Sequence, residues 1–247
     1  MSLEACAGLV GRGDPDRFAA VVAAPADARA VLLPLYAFNV EVSRAPWVTA
    51  EPMIAEMRLQ WWRDALEEIG QGGPVRRHEV VDALAPVLDA AAAEELDQLV
   101  AARRWDCYRD PFDDAAAFEA YINATSGNLT WVAARALGAT DEQAVRDVGY
   151  AIGVANWLRA IPQLEALGRV PLVDGRTEAV AALAQGALAR LTRVSKPARP
   201  AVLSGWQARG ILKLAAKDPA AVAQGGLVPS EFARRGGLLK AALTGRI

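Results

Sequence analysis

Ala30-Val-Leu-Leu-Pro-Leu-Tyr-Ala-Phe-Asn39, continued by Val40-Glu-Val-Ser-Arg-Ala-Pro-Trp47, is the stretch whose reading decides the fold. Leu32, Tyr36, Asn39, Val40, Ser43 and Trp47 fall at i, i+4, i+7, i+8, i+11 and i+15, which places them on one face of a helix. The predicted helix runs from Ala26 to Arg44 despite Pro34. Pro25 separates it from a shorter helix that opens at Asp14-Pro15 and ends near Ala24. There an aspartate can cap the first turn and a proline suits the first helical position.

The same periodicity continues outward. Thr49 to Ile69 reads as a helix stopped by Gly70-Gln-Gly-Gly-Pro74. Further helices are expected over 77–90, 91–107, 112–124, 127–137, 140–161, 176–193, 200–217 and 229–244, with Pro162 and Pro171 bracketing an irregular link. No stretch reads as a strand, and neither a Ser/Gly linker nor an internal repeat divides the chain. The expectation is one all-α domain over residues 1–247, a bundle of about ten helices.

Composition agrees and narrows the chemistry. The chain has 247 residues, 53 of them alanine, the strongest helix former. Its 27 basic and 29 acidic side chains leave a net charge of −2, with no general attraction to nucleic acid. His78 is the only histidine, so a multi-histidine zinc site is excluded. Cys6 and Cys107 are too few for a disulfide framework. No apolar run approaches the roughly 20 residues that span a bilayer, and the N-terminal stretch lacks a basic start followed by a long apolar segment. The location expected on these grounds is cytoplasmic. Metal chemistry, if any, would have to use carboxylates.

The run ending in Leu35-Tyr-Ala-Phe38 resembles the first signature helix of the squalene/phytoene synthase family. Leu59-Gln-Trp-Trp-Arg-Asp-Ala-Leu66, Phe118-Glu-Ala-Tyr121 through Gly127, Ala134-Arg-Ala-Leu-Gly138, Ala151-Ile-Gly-Val-Ala155, and Ser230-Glu-Phe232 with Gly237–Gly245 resemble later family elements in the same order. The resemblance covers nearly the whole chain. It implies a terpenoid-synthase-like bundle around a central apolar cavity. In active members two aspartate motifs hold Mg²⁺, which neutralises the diphosphate leaving group during prenyl condensation.

Carried over residue by residue, the aspartates of the first motif fall on Ser43, Arg44 and Trp47, none of them acidic. At the second motif stands Asn156-Trp-Leu-Arg-Ala-Ile-Pro-Gln-Leu-Glu165, and Glu165 is the only carboxylate between Val148 and Val173. Pro162 is expected to break the helix there. Leu158-Arg-Ala-Ile-Pro162 and Gly168-Arg-Val-Pro-Leu172 are similar to a divergent branch of the family that contains a mitochondrial respiratory complex I assembly factor. That resemblance implies a scaffold that has lost its chemistry, has no catalytic residue and no metal, and works with complex I subunits or other assembly factors. It implies at most peripheral contact with the inner membrane.

Tyr36, Asn39, Val40, Arg44, Asn123, Gly127, Asn156 and Arg159 are the residues expected to line the cavity, with a prenyl or lipid molecule as its occupant. Arg44 is equally open to an i, i+3 pair with Glu41, and Gly127 to a helix boundary. Two other readings remain open, a prenyl-diphosphate-condensing transferase using displaced carboxylates and Mg²⁺, and a lipid-binding protein. Asp113 or Asp114 is expected as a helix cap, and His78 as an exposed helix-start residue. The stretch from Phe232 to Ile247 is expected either to pack on the domain or to lie on a membrane as a basic amphipathic helix.

Overall fold

Capping side chains set where several of the helices begin. Asp14 accepts from the Arg17 amide at 2.9 Å, Asp89 from Ala92 at 2.8 Å and Asp114 from Ala117 at 2.7 Å, and a helix starts directly after each. His78 does the same less usually, its Nδ1 accepting from the Val80 amide at 3.2 Å. The computed structural model describes residues 2–247. Among them the helices are α1 Ser2–Gly13, α2 Pro15–Ala23, α3 Ala26–Arg44, α4 Pro52–Gly70, α5 Glu79–Leu84, α6 Ala90–Ala102, α7 Ala115–Ile122 and α8 Asn128–Ala136. There follow α9 Glu142–Ala166, α10 Thr177–Ala189, α11 Arg199–Val202, α12 Ala208–Lys217, α13 Ala220–Ala223 and α14 Glu231–Thr244. No strand occurs among the described residues, so the chain is all-α.

Two apolar clusters fill the interior. One gathers α1 to α6 and α8 around Leu32, Phe38, Leu66 and Leu96; the other gathers α7, α9, α10, α12 and α13 around Ile122, Ile152, Leu158 and Leu212. They meet where α8 packs on α9. Small residues allow that approach. A Cβ on Gly149 would lie 3.1 Å from the Gly127 Cα, and one on Gly153 would lie 2.6 Å from Ile122 Cγ2.

Several boundaries differ from those expected. The helix predicted over 140–161 runs to Ala166 straight through Pro162. Proline removes one backbone hydrogen bond. Leu158, Ile161 and Leu164 are nevertheless buried on either side of it, and that burial outweighs the missing bond. The helix expected over 200–217 is divided by a 3-10 turn at Leu203–Gly205. Here the backbone of Gly205 lies so close to α9 that a Cβ would meet Ile152 Cγ1 at 2.2 Å. The segments 112–124 and 127–137 are joined by one π turn, Asn123–Gly127. Thr125 Oγ1 donates back to the Tyr121 carbonyl at 2.7 Å, and Ser126 Oγ donates across to the Gly149 carbonyl at 2.7 Å. Trp47 belongs to a 3-10 turn after α3, and α1 was not anticipated.

Candidate functional site

The long helix α9 forms the floor of a cavity of about 470 Å³, roofed by the end of α3, the 3-10 turn after α6, and α7 with its π turn. Its apolar wall comes from Ile122, Leu129, Trp157, Ala160, Leu164 and Trp47. Trp157 belongs to an aromatic cluster in which Trp105 stacks on Phe112 at 4.1 Å and Tyr121 and Phe118 meet the Trp157 edge. The indole of Trp157 is fixed by donation to the Pro171 carbonyl at 2.9 Å.

A smaller polar vestibule of about 260 Å³ adjoins this chamber, lined in part by Asp14, Asp16, Ser43, Arg159, Ser204 and Gln207. Arg17, Asn39, Arg103 and Asn156 border both spaces and form a polar waist between them. An amphiphile entering such a site would leave its apolar part against the aromatic wall and its polar group at the waist.

The charges around the waist are already paired. Asp106, 2 % exposed, accepts from Arg103 Nη1 at 3.1 Å and from the Tyr121 hydroxyl at 2.9 Å, and Arg103 Nη1 also reaches that hydroxyl at 2.9 Å. Burial raises the Tyr121 hydroxyl pKa well above its ordinary value, so the phenol stays protonated and donates. Arg103 is shifted upward too; burial opposes this, and the Asp106 carboxylate beside it, with the hydrogen bonds to Asp106 and the Tyr121 hydroxyl, prevails. Arg169 Nη2 donates to the Asp106 carbonyl, and the Arg169 guanidinium lies 4.7 Å over the Trp47 ring.

In the vestibule Asp16 accepts from Arg159 at 3.2 Å, from Gln207 at 2.8 Å and from Arg234. Burial works against its charge, yet the hydrogen bonds from Arg234 and Gln207 and the charges of Arg234 and Arg159 hold its pKa below the ordinary value. Asp14 caps α2 and pairs with Arg17 at 3.0 Å.

These carboxylates do not fit Mg²⁺, which needs oxygen ligands free to coordinate. Asp14, Asp16 and Asp106 are each engaged by an arginine. Positions 43, 44 and 47 carry no acid, and Glu165 points out to solvent. Among the described residues no group of three or more His, Cys, Asp or Glu side chains is gathered to hold a metal.

The residues named from the sequence divide. Asn39, Asn156 and Arg159 border the two spaces, as do Ser43 and Trp47. Tyr36 does not line them: it is buried, donates to the Ala201 carbonyl at 3.1 Å and carries Arg17 over its ring at 5.0 Å. Val40 is turned into the core beside Gly13. Gly127 serves the contact between the π turn and α9, and Asn123 lies beside it outside the lining. Arg44 borders a separate groove with Glu41, Met57 and His78. Arg17, Arg103, Asp106, Asp16 and Tyr121 were not anticipated. The only signal for them was Tyr121 itself, which stands in a quoted element.

Comparison with known proteins adds to this geometry. A family model described as squalene/phytoene synthase matches residues 10–174. A protein of Drosophila melanogaster named NADH dehydrogenase (ubiquinone) complex I, assembly factor 6 homolog is 28% identical over 166 residues, covering 64% of this chain and 50% of that protein. The Homo sapiens NADH dehydrogenase (ubiquinone) complex I, assembly factor 6 is 25% identical over 161 residues, covering 64% and 48%. The chain thus spans about half the length of the curated relatives it matches. A dehydrosqualene synthase crystal structure superposes with a TM-score of 0.72 at 14% identity, covering 97% of this chain and 94% of that one. A squalene synthase, HpnC, from Alicyclobacillus acidocaldarius does so with a TM-score of 0.69 at 19% identity, covering 91% and 94%. At these identities the two structures speak for the fold alone.

Proposed function

The chain belongs to the squalene/phytoene synthase family, and from that premise we propose that it keeps the family scaffold without a metal centre and serves the building of a respiratory NADH dehydrogenase complex. The observation that carries the reading is the state of the acids at the cavity: each of the three bordering carboxylates is tied to an arginine, and the signature positions hold Ser43, Arg44 and Trp47. The names of the curated relatives supply the direction, from loss of chemistry to assembly. The partners on this reading are complex I subunits or other assembly factors, met at the cytoplasmic side of the inner membrane.

Deletion of the gene tests it. The expected result is a lower amount of assembled complex I on native gels and slower NADH oxidation by isolated membranes, both restored by the wild-type chain. Unchanged assembly removes the proposal. Mg²⁺-dependent release of diphosphate from farnesyl or geranylgeranyl diphosphate by the purified protein would instead favour the transferase reading.

The aromatic wall beside a polar waist supports a second element of the proposal, a prenyl or other lipid molecule held in the chamber. Mass spectrometry under native conditions on gently purified protein is expected to show one bound lipid mass. A clean ligand-free spectrum would remove this element and leave the assembly role standing.

A further inference from the structure

The net charge of −2 conceals a strong separation along the chain. Residues 190–247 carry eleven Lys and Arg against only Asp218 and Glu231, whereas residues 1–189 carry sixteen against twenty-seven acids. The fold concentrates the excess further. Arg193, Arg209, Lys213, Lys240 and Arg246 line one groove between α12 and α14 that no carboxylate side chain borders. None of the five enters a side-chain ion pair among the described residues, and Arg209 donates only to the Ile247 and Leu191 carbonyls, at 2.9 and 3.2 Å.

Helix α14 presents apolar side chains beside this groove. Phe232, Leu239 and Leu243 are 89%, 63% and 79% exposed, and their spacing of seven and four residues puts them on one line down the outer face. Arg235 and Lys240 flank that line, both exposed. The inner face turns Ala241 into the core and holds Arg234 against Asp16, so the orientation of the helix is fixed with its apolar line outward.

We propose that this face of α12 and α14 is a docking surface for an anionic lipid bilayer. Phe232, Leu239 and Leu243 enter the boundary between headgroups and acyl chains, and Lys213, Lys240 and Arg246 meet the phosphates. A nucleic acid would satisfy the cations but leave two leucines against water, whereas a bilayer satisfies both. The surface lies apart from the cavity and goes beyond the assembly role, since its occupant is lipid whatever partner the chain serves.

Sedimentation of the full chain with vesicles tests this. Binding is expected with phosphatidylglycerol-containing vesicles, not with pure phosphatidylcholine, and it should fall in high salt. Neutralising Lys213→Gln, Lys240→Gln and Arg246→Gln together should lower the partition coefficient by about tenfold or more. Phe232→Ser, Leu239→Ser and Leu243→Ser together should do so independently. All six side chains are exposed, so both variants should keep the wild-type helical spectrum; should the apolar variant unfold, Leu239→Ser alone replaces it. Absence of binding to the anionic vesicles overturns the proposal, as does binding that neither variant weakens. Tighter binding to a DNA or RNA duplex, unaffected by the apolar variant, overturns it in favour of a nucleic-acid surface. Complex I plays no part in these readouts, so this proposal and the assembly proposal fail separately.

Discussion

Asp106 anchors the polar side of the chamber, and its environment makes a sharp prediction. Asp106→Ala would leave Arg103 at the cavity wall without its carboxylate and should cost about 3 kcal/mol or more in urea unfolding, with Asp106→Asn costing less. Aspartates also set the acid limit of the fold. Burial opposes charge on Asp141, but the Ser195 amide and hydroxyl, at 2.6 and 2.5 Å, hold its pKa below the ordinary value, and Asp16 is lowered by its own partners. A carboxyl lowered in the native state favours folding above its unfolded value, about pH 4, and the contribution is lost as pH falls through the native value. Stability should therefore decline below about pH 4, and Asp141→Asn should make that decline shallower in thermal melts. Asp14 and Asp114 were legible in the sequence because a cap acts within three residues. Asp16 was not, because its Arg159, Gln207 and Arg234 partners lie 143 to 218 positions away. Asp106 was not because, although Arg103 stands three positions off, the Tyr121 hydroxyl that completes its site lies 15 positions away.

At the scale of elements, most helices were visible in the apolar periodicity, and the misjudged boundaries share one cause. The cost of Pro162 to α9 is local and readable, whereas the burial of Leu158, Ile161 and Leu164 that outweighs it depends on helices far along the chain. Pro162→Ala should restore a donor toward the Leu158 carbonyl and raise unfolding stability by about 1 kcal/mol or more, measured by chemical denaturation. Gly8, Gly11 and Gly13 likewise hid α1, which docks Cys6 and Val10 against the core. Burial pushes the Cys6 thiol up to about 11, so its alkylation at neutral pH should proceed only at the rate at which α1 opens. The 3-10 turn at Gly205 has the opposite sensitivity: Gly205→Ala forces a methyl onto Ile152 and should destabilise by about 1 to 3 kcal/mol in the same assay.

For the whole molecule, fold class and family were accessible from the order of weak matches, while the cavity lining was only partly so. Side chains on one predicted face of α3 part company once packed. Asn39 and Ser43 meet the cleft, Tyr36 and Val40 meet the core, and Trp47 leaves the helix altogether. The stretch from Phe232 to Ile247 was legible as a basic amphipathic helix, but its meeting with Arg193, Arg209 and Lys213 was not, because α12 and α14 come together only in the fold. Asp16 joins α2 to Arg159 of α9, Gln207 before α12 and Arg234 of α14, across as many as 218 positions. Arg234→Ala should accordingly speed proteolytic cleavage within Glu231–Thr244 while shifting global unfolding by no more than about 1 kcal/mol. That one carboxylate also sets a schedule for biogenesis. At about 5 to 20 residues per second, α2 leaves the ribosome some 10 to 40 seconds before Arg234 is added, so the vestibule stays unsealed for most of translation.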